Sequence, residues 1–394
     1  MSEWSSQPLA DAIELIGGGT PRTSNPEFWN GDIPWLSVVD FNTGRKFVSD
    51  AEKKITQKGL DSSSTKLLNK GDIIISARGT VGAMAVLDKP MTFNQSCYGV
   101  RGIKGKSITD YIYYLLKEKI AELSQISHGG VFDTITRDTF KEINASLPPL
   151  PEQKAIASVL SSLDDKIDLL HRQNKTLEAM AEALFRQWFV EEAQDDWEEG
   201  TLSDLVESAN TGLDAIKRAP IVDVFTGIKC LRIQDISQKK KFEDWGNSRV
   251  LEKDFEKAQL KTGDLIMART CSPGIIYFVR ENLSAVFNNG LARIRPKPNK
   301  THSIFLYYLF RTGDFIGYIS GISGGTSVQL NMKLGDLLSY KLTFPPKELQ
   351  DRYHPFFQSL DNKIFINYSQ IRTLETLRDT LLPKLMSGEI RLPV

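Results

Sequence analysis

The sequence predicts an α+β fold made of two tandem globular domains of mixed α and β structure, each followed by a long helix. The two helices are predicted to pack as an antiparallel coiled coil with internal pseudo-two-fold symmetry. Three observations lead to this prediction: a heptad pattern of apolar residues from Ile156 to Trp188, a second from Tyr353 to Leu385, and a repeat through both halves of the chain. A chain of 394 residues is long enough for two or three domains, each with its own core.

Apolar residues in both helical stretches recur in alternating steps of four and three, which is the spacing of a coiled-coil seam. A stripe this narrow buries best against a matching stripe, so each helix is expected to be the partner of the other. The predicted core of the helix pair consists of Leu163, Ile167, Leu170, Asn174, Leu177, Leu184, Leu360, Ile364, Asn367, Ile371, Leu374 and Leu381.

The polar residues within the seam predict its register. An unpaired asparagine amide in an apolar seam costs about 1–3 kcal/mol, so the favoured antiparallel register places Asn174 opposite Asn367. That register leaves Arg378 opposite Leu163 near one end of the pair, where the guanidinium is expected to reach water. About 40 residues at about 1.5 Å each would make a rod of roughly 60 Å, which would fix the distance between the two domains.

The repeat continues outside the helices, and self-similarity of this kind indicates duplicated structural units. In the alignment of the two halves, 71–78 matches 263–269 with one residue dropped, which pairs Arg78 with Arg269. The other matched segments are 4–15 with 197–206, 36–40 with 231–235, 93–94 with 287–288, 113–115 with 307–309, 129–130 with 324–325, and 163–167 with 360–364.

Each half ends in two prolines, which stop the preceding element before the long helix begins. Short apolar runs after a Gly-Asp turn predict buried strands at 72–76 and 264–268. Apolar patterns at 108–123 and 303–310 predict helices. The predicted domains are 1–147 and 191–345, and the predicted helical segments are 148–190 and 346–394.

Charge is balanced over the whole chain, with 49 basic and 49 acidic residues, but it is unevenly distributed. Residues 214–300 carry 17 Lys and Arg against 10 Asp and Glu, whereas 191–207 carries eight acidic residues and no basic one. This asymmetry favours a face for a polyanion beside a solvated linker, and ordinary mixed surface charge is the alternative.

Catalytic and targeting motifs are missing from the sequence. The four histidines form no zinc motif, the glycine run 17–20 lacks phosphate-loop spacing and is predicted to be a loop, and neither proline pair has the flanking residues of an amino-methyltransferase motif. Cys97, Cys230 and Cys271 fit a reducing compartment, and no signal peptide or membrane span is predicted, so a cytoplasmic location is expected. We therefore expect a scaffold or reader without a metal or cofactor of its own.

Several side chains have the chemistry for reading DNA, since arginine suits guanine edges and phosphates, and side-chain amides suit adenine. An arginine beside a glycine-rich turn is more often an ion-pair partner, so no single residue decides the question. The predicted DNA-binding residues are Arg78, Thr80, Asn94, Arg101, Arg232, Arg269, Asn288, Arg293 and Gln329, and Gln95 and Arg295 have the same chemistry.

The block LPPLPEQKAIASVLSSLDDKID at 147–168, its echo FPPKELQDRYHPFFQSLDNKI at 344–364 and the ending LPKLMSGEI at 382–390 resemble the specificity subunit of Type I restriction-modification systems. The resemblance covers the whole chain and is most specific in the helical blocks. In one departure, Glu348-Leu349-Gln350 stands where the first copy has Glu152-Gln153, which leaves the register at the start of the second helix open.

The resemblance implies that each globular domain is a target-recognition domain for one half of a bipartite site in double-stranded DNA. It also implies two modification subunits, which bind S-adenosylmethionine and methylate adenine, and two restriction subunits, which use ATP and Mg²⁺. This chain would then be a non-catalytic subunit.

Two other classes of protein remain as alternatives. One is a coiled-coil adaptor that joins proteins without touching DNA, although it would not explain why two domains share a framework and diverge elsewhere. The other is a stand-alone methyltransferase or nuclease, which the missing motifs disfavour.

Overall fold

The computed structural model describes residues 4–126, 134–323 and 331–393. It forms two compact units: Met1–Arg172 with Asn367–Val394, and Gln173–Ile366. Each unit therefore contains one globular domain together with parts of both long helices. No described helix combines the length and apolar character needed to cross a membrane.

The first domain is built on a five-stranded sheet of order β2-β9-β6-β7-β4, a three-stranded sheet of order β5-β3-β8 and the antiparallel pair β1-β10. Its strands are β1 (Ser5–Pro8), β2 (Ile13–Gly17), β3 (Trp29–Leu36), β4 (Phe47–Val48), β5 (Lys53–Ile55), β6 (Ile73–Ser76), β7 (Met84–Leu87), β8 (Thr92–Phe93), β9 (Cys97–Gly102) and β10 (Asn144–Leu147). Its helices are α1 (Val38–Phe41), α2 (Gln57–Asp61), α3 (Thr109–Ile126) and α4 (Arg137–Glu142), with 3-10 turns at Leu9–Asp11 and Pro26–Phe28. The long helix α5 (Leu150–Arg186) follows, and a π-helical turn, Gln187–Glu191, extends it.

The second domain repeats this plan with sheets of order β12-β19-β16-β17 and β13-β15-β14-β18 and the antiparallel pair β11-β20. Its strands are β11 (Glu198–Thr201), β12 (Val206–Thr211), β13 (Ile221–Val222), β14 (Lys229–Leu231), β15 (Gly246–Ser248), β16 (Leu265–Ala268), β17 (Ile276–Phe278), β18 (Ala285–Phe287), β19 (Leu291–Pro296) and β20 (Lys341–Phe344). Its helices are α6 (Leu202–Leu205), α7 (Ile233–Ser237), α8 (Glu252–Ala258), α9 (Ser303–Leu309), α10 (Gly313–Ile322) and α11 (Leu334–Leu338), with a 3-10 turn at Phe242–Asp244. The long helix α12 (Lys347–Met386) follows it.

The predicted buried strands are confirmed as β6 and β16, whose residues are all buried, and the predicted helices as α3 and α9. Both long helices begin just after a proline pair, as predicted. Helix α12 ends where Gly388 adopts a positive φ of 76° and the Ile390 N–H donates to the Lys384 carbonyl, a glycine-dependent helix stop.

The two long helices run antiparallel in each unit. In the first unit, Ile167 and Leu170 of α5 pack against Ile371 of α12, while Asp164, earlier in α5, meets Arg378, later in α12. The second unit shows the same opposite direction. Trp188 stacks on Tyr353 with ring centroids 4.2 Å apart, and the Asn174 amide donates to the Ile364 carbonyl at 3.4 Å. The antiparallel prediction is confirmed.

All twelve residues of the predicted helix-pair core are at least partly buried. The pairing of Asn174 with Asn367 would join the two units and stays a prediction. Buried members are Ile167, Leu170, Asn174, Leu360, Ile364, Asn367 and Ile371, and the partly buried ones are Leu163, Leu177, Leu184, Leu374 and Leu381.

The expectation that the Arg378 guanidinium reaches water is wrong. Its Nη1 donates to Asp164 Oδ1 at 2.7 Å, and both side chains are largely buried. The reason is that Asp164 itself lies inside the first unit, where it also accepts a hydrogen bond from the Tyr114 hydroxyl at 2.6 Å. A buried carboxylate needs such partners, and Arg378 supplies the positive charge.

The register at the start of α12 is settled by one side chain. Gln153 donates to the Pro148 carbonyl at 2.9 Å, and Gln350 donates to the Pro345 carbonyl at 3.1 Å. Gln350 is therefore the counterpart of Gln153.

Candidate nucleic-acid interface

The strands of the first domain bring four segments together at one end of its two sheets. The Asn94 N–H donates to the Leu36 carbonyl at 3.0 Å, and the Gly19 N–H donates to the Phe93 carbonyl at 3.0 Å. The Ala77 N–H donates to the carbonyl of Ser96 at 2.9 Å. We call this end the first rim, made of residues 17–20, 36–40, 77–80 and 94–97.

The second domain has the same arrangement. The Asn288 N–H donates to the Leu231 carbonyl at 3.1 Å, the Leu213 N–H to the Phe287 carbonyl at 2.9 Å, and the Arg269 N–H to the carbonyl of Gly290 at 3.0 Å. We call this end the second rim, made of residues 211–214, 231–235, 269–272 and 288–291. These bonds make Asn288 the counterpart of Asn94, as the sequence alignment predicted.

Each rim depends on a glycine at a close backbone approach. A Cβ atom on Gly18 would lie 2.1 Å from the Asn94 carbonyl oxygen, and one on Gly212 would lie 2.2 Å from the Phe287 carbonyl oxygen. Any side chain would push the segments apart, since real Cβ atoms do not approach so closely. The predicted loop is confirmed for residues 18–20, whereas Gly17 is the last residue of β2, and the role of Gly18 here is packing.

The two rims show that Arg78 and Arg269 are not counterparts, which corrects the sequence alignment. In the turn after β6, the Gly82 N–H donates to the Ser76 carbonyl at 3.0 Å; after β16, the Gly274 N–H donates to the Ala268 carbonyl at 3.0 Å. Both turns have the same length, so no residue is dropped. Arg78 therefore corresponds to Thr270 and Arg269 to Ala77. The sequence alignment had paired Arg78 with Arg269 because both are arginines, and this shifted the segment by one residue.

The two arginines also have different surroundings. Arg78 is exposed, and its guanidinium has no hydrogen bond or ion pair with any residue in the described ranges. The Arg269 guanidinium donates to the Met332 carbonyl at 3.3 Å, the Asn289 carbonyl at 3.2 Å and the Asn331 side-chain oxygen at 3.3 Å. Arg269 thus joins the 288–291 segment of the second rim to residues 331–332, whereas Arg78 is available to a ligand.

Arg101 and Arg295 form the same internal ion pair in the two domains. Arg101 donates from Nε to Asp72 Oδ1 at 2.7 Å and from Nη2 to Oδ2 at 2.5 Å; Arg295 donates to Asp264 at 2.6 and 3.1 Å. The hydrogen bond to Asp72 raises the pKa of Arg101 above its ordinary value. These pairs explain the repeated Gly-Asp turns, and they occupy both guanidinium groups without DNA.

Two further arginines of the predicted set also have protein partners. Arg293 is only 5% exposed and donates to the carbonyl of Lys257 in the last turn of α8 at 2.9 Å and to that of Gln259, just past its end, at 3.1 Å. Burial lowers its pKa. Arg232 precedes α7 and donates to both carboxylate oxygens of Asp235 at 3.1 and 3.2 Å.

Of the predicted residues, Thr80, Asn94 and Asn288 remain on the rims, together with Gln95, whose side-chain oxygen accepts a hydrogen bond from the Thr20 hydroxyl. Thr80 is exposed in the turn after β6. Asn94 is partly buried and its Oδ1 accepts from the Ser96 N–H at 3.0 Å. Asn288 Oδ1 is buried and has no hydrogen-bond partner among the residues that the structure covers. Gln329 and the glycine pairs 129–130 and 324–325 lie outside the described residues.

Sequence reasoning missed Val39 and Gln234, which occupy the same place on the two rims. Ser37 and Arg232 each precede a short helix, and their backbone N–H groups donate to the carboxylates of Asp40 at 2.7 Å and Asp235 at 3.0 Å, respectively. Val39 is 73% exposed and Gln234 is also exposed. The alignment of 36–40 with 231–235 already paired these two positions, but the apolar Val39 resembled a core residue.

Comparison with known proteins is consistent with this duplicated geometry. A family model described as the Type I restriction modification DNA specificity domain matches residues 1–179 and 194–376. The MjaIX specificity subunit of Methanocaldococcus jannaschii is 30% identical, over 99% of this chain and 94% of its own length. The MjaVIII specificity subunit of the same organism is 27% identical, over 99% and 93%. The crystal structure of a Type I S subunit from M. genitalium shares the fold, with a TM-score of 0.60, 17% identity and coverage of 97% and 96%.

Proposed function

Because this chain belongs to the family of Type I restriction-modification specificity subunits, we propose that each of its two domains reads one half of a bipartite site in double-stranded DNA. The chain would direct adenine methylation and restriction by partner subunits and would perform neither reaction itself. It would hold no cofactor: S-adenosylmethionine, ATP and Mg²⁺ would act in the partners.

The observation that carries this proposal is the pair of rims. Their backbone hydrogen bonds are the same in both domains, whereas their exposed side chains differ in chemistry. At equivalent positions, the first rim has the exposed Val39 and Arg78, and the second has the exposed Gln234 and the partly buried Thr270. A shared frame gives each domain the same way of docking on a duplex, and different side chains let each read a different sequence.

Arg78 is the strongest candidate for a DNA contact, since it is exposed and has no protein partner in the described ranges. An arginine can bind guanine O6 and N7 with two hydrogen bonds, or it can pair with phosphate. Asn94, Asn288 and Thr80 could add contacts to bases or phosphates from the same rims. We assign a supporting role to Arg101, Arg232, Arg269 and Arg293, because their guanidinium groups bind protein partners.

The helices support a complex with two modification subunits, because each unit exposes the same apolar positions. In the aligned repeat, Val159, Leu169 and Met180 of α5 match Phe356, Ile366 and Leu377 of α12. These six side chains are between 36% and 49% exposed. The first unit contains Val159, Leu169 and Leu377, and the second contains Phe356, Ile366 and Met180. We call the three exposed side chains of each unit its apolar patch, and because the same positions recur in both units, they favour two copies of one partner.

Adenine-methylation mapping tests the proposed reading of DNA. The chain is expressed with its modification subunit in a host without this system, and methylated adenines are mapped across the genome. We expect one bipartite motif. Exchanging residues 1–147 for those of a relative should change one half of the motif and leave the other unchanged. A change in both halves, or no motif, would contradict the proposal.

The partner number is tested by placing a charge in one patch at a time. Leu169→Glu and Ile366→Glu should each leave a complex with one modification subunit, and the double variant should bind none, as measured by native mass spectrometry. Lys104→Glu, on an exposed turn beyond β9, is the control. Two bound subunits in both single variants would argue against docking at these patches.

A further inference from the structure

Two buried glutamines join the globular domains to the first turns of the long helices. Gln153 accepts the Ile108 N–H at 3.0 Å and donates to the Lys106 and Pro148 carbonyls at 3.0 and 2.9 Å. The amide of Gln153 therefore bonds on both sides to backbone of its own domain. The helix start cannot shift without breaking all three bonds.

Gln350 makes the equivalent attachment in the second unit. It accepts the Thr301 hydroxyl at 2.8 Å and donates to the Lys300 and Pro345 carbonyls, each at 3.1 Å. Both glutamines are almost completely buried.

Two buried aspartates form a second attachment about three helical turns further along each helix. Asp164 accepts the Tyr114 hydroxyl of α3 at 2.6 Å, as well as Arg378. Asp361 accepts Nε and Nη2 of Arg280 at 2.9 and 2.7 Å, and the Arg280 guanidinium lies over the Tyr307 ring of α9. The accepting aspartate is therefore repeated in the two long helices, whereas the donor from the globular domain is Tyr114 in one unit and Arg280 in the other.

The spacing of these two attachments restricts rotation of the domain. Three helical turns bring Asp164 back to nearly the same side of α5 as Gln153, roughly 16 Å further along at about 1.5 Å per residue. A domain attached to the helix at one residue could rotate about that residue, whereas two attachments on the same side of the helix fix the angle between the domain and the helix. Each point is costly to break, because a buried amide or carboxylate would lose its partners.

We propose that Gln153 with Asp164, and Gln350 with Asp361, are positioning residues that set the angle of each recognition domain on its helix and thereby the spacer length between the half-sites. This inference rests on the proposed reading of a bipartite site. One added base pair moves the second half-site by about 3.4 Å along the duplex and turns it by roughly 35°, so the angle at which each domain is held decides which spacer fits.

The test uses the assembled methyltransferase and duplexes that carry both half-sites with spacers of different length. The wild-type complex should methylate one length strongly. In Asp361→Asn and Gln350→Leu, the methylation rate of duplexes with a spacer one base pair longer or shorter should rise to within about tenfold of the rate at the preferred length. A tenfold ratio of rates corresponds to a difference of about 1.4 kcal/mol in activation free energy. Arg280→Lys, which keeps the charge opposite Asp361, should stay closer to the wild-type profile.

Asp164→Asn tests the first domain in the same way, and Asp165→Asn, an exposed neighbour, is its matched control. If Asp361→Asn does not fold, the double variant Arg280→Met with Asp361→Leu removes both charges together. Lower methylation at every length with an unchanged preferred spacer would show a merely structural role and overturn the inference. A wild-type complex that ignores spacer length, or needs one half-site only, would instead overturn the proposed function.

Discussion

The Arg378 guanidinium lies 2.7 Å from the carboxylate of Asp164, inside the first unit. Tyr114 donates to the other carboxylate oxygen at 2.6 Å, and the buried Lys46 ammonium lies 3.3 Å from the Tyr114 hydroxyl. Burial lowers the pKa of Lys46 despite the nearby Asp164. A seam position of the coiled coil is thus part of a polar network that also joins the domain to the helix.

Removing the Arg378 charge should destabilise the protein strongly. In Arg378→Met the Asp164 carboxylate stays buried without its cation, and loss of one partner of a buried pair costs about 3–5 kcal/mol. Urea unfolding should show this loss, whereas Lys166→Met on the exposed face of α5 should change little. Adding Asp164→Leu should recover part of the loss, and a double variant no more stable than Arg378→Met would refute this account.

Arg78→Ala should weaken DNA binding without lowering stability. If the guanidinium contacts a base, the binding free energy should weaken by about 1–3 kcal/mol. If it contacts phosphate, the slope of the logarithm of the binding constant against the logarithm of the salt concentration should decrease in magnitude by about one. Binding of the assembled complex to its site is measured across a salt series, with Lys104→Ala as the control in the same domain. An unchanged affinity together with an unchanged slope would remove Arg78 from the interface.

Arg269→Ala should behave differently, because Arg269 braces a segment of the second rim. Its bonds join the 288–291 segment to residues 331–332, and hydrogen bonds to a charged group contribute about 1.5–3 kcal/mol, so the melting temperature should fall. Thermal unfolding followed by circular dichroism measures this change. A variant with wild-type stability and weaker binding would instead place Arg269 in direct contact with DNA.

Exchanging the side chains at Val39 and Gln234 should change the bases that are read. A branched apolar side chain suits the thymine methyl group, and a glutamine amide suits adenine N6 and N7. Val39→Gln should shift one position of one half-site from thymine toward adenine, and Gln234→Val should shift the other half-site in the reverse direction. Selection from a random duplex library measures both, with Lys104→Gln as control, and an unchanged site in both variants would exclude these positions.

Stability should fall as the pH drops through 6.5, because of His354. Burial, and then the positive charges of His302 and Lys347, lower the pKa of His354, whose ring stacks on His302 at 3.9 Å. The unfolded chain then binds the proton more readily, so protonation favours unfolding. Asp351, whose pKa is lowered by hydrogen bonds from Lys347 and His302, loses its stabilising effect only as the pH falls below 3.8, through the lowered pKa of the folded state.

Denaturant titrations between about pH 7.5 and 5.5 separate these contributions. His354→Gln should flatten the dependence in this range, while His128→Gln provides a comparison at a histidine distant in sequence. If the free energy of unfolding depends on pH as steeply in His354→Gln as in the wild type, another group is responsible for the pH dependence.

The sequence alone determined the repeat, the two long helices and their antiparallel pairing. Heptad spacing selects one buried stripe on a helix, and the proline pairs and Gly-Asp turns end or redirect the backbone within a few residues. These are local effects, so α5, α12, β6 and β16 could be located from nearby residues. The equivalence of Asn94 and Asn288 also followed from the sequence, because each comes directly after a short buried strand.

Only the tertiary structure decided which polar side chains are available to a ligand. Arg101 lies in β9, and Arg78 follows β6 of the same sheet, yet Arg101 meets Asp72 through the pairing of β9 with β6, and Arg78 remains exposed. Such partners are distant in sequence, and no periodicity identifies them. The backbone hydrogen bonds of the turn identified Thr270 as the counterpart of Arg78, whereas residue identity alone had paired Arg78 with Arg269. Side-chain partners depend on long-range packing, whereas helices and turns are specified by neighbouring residues.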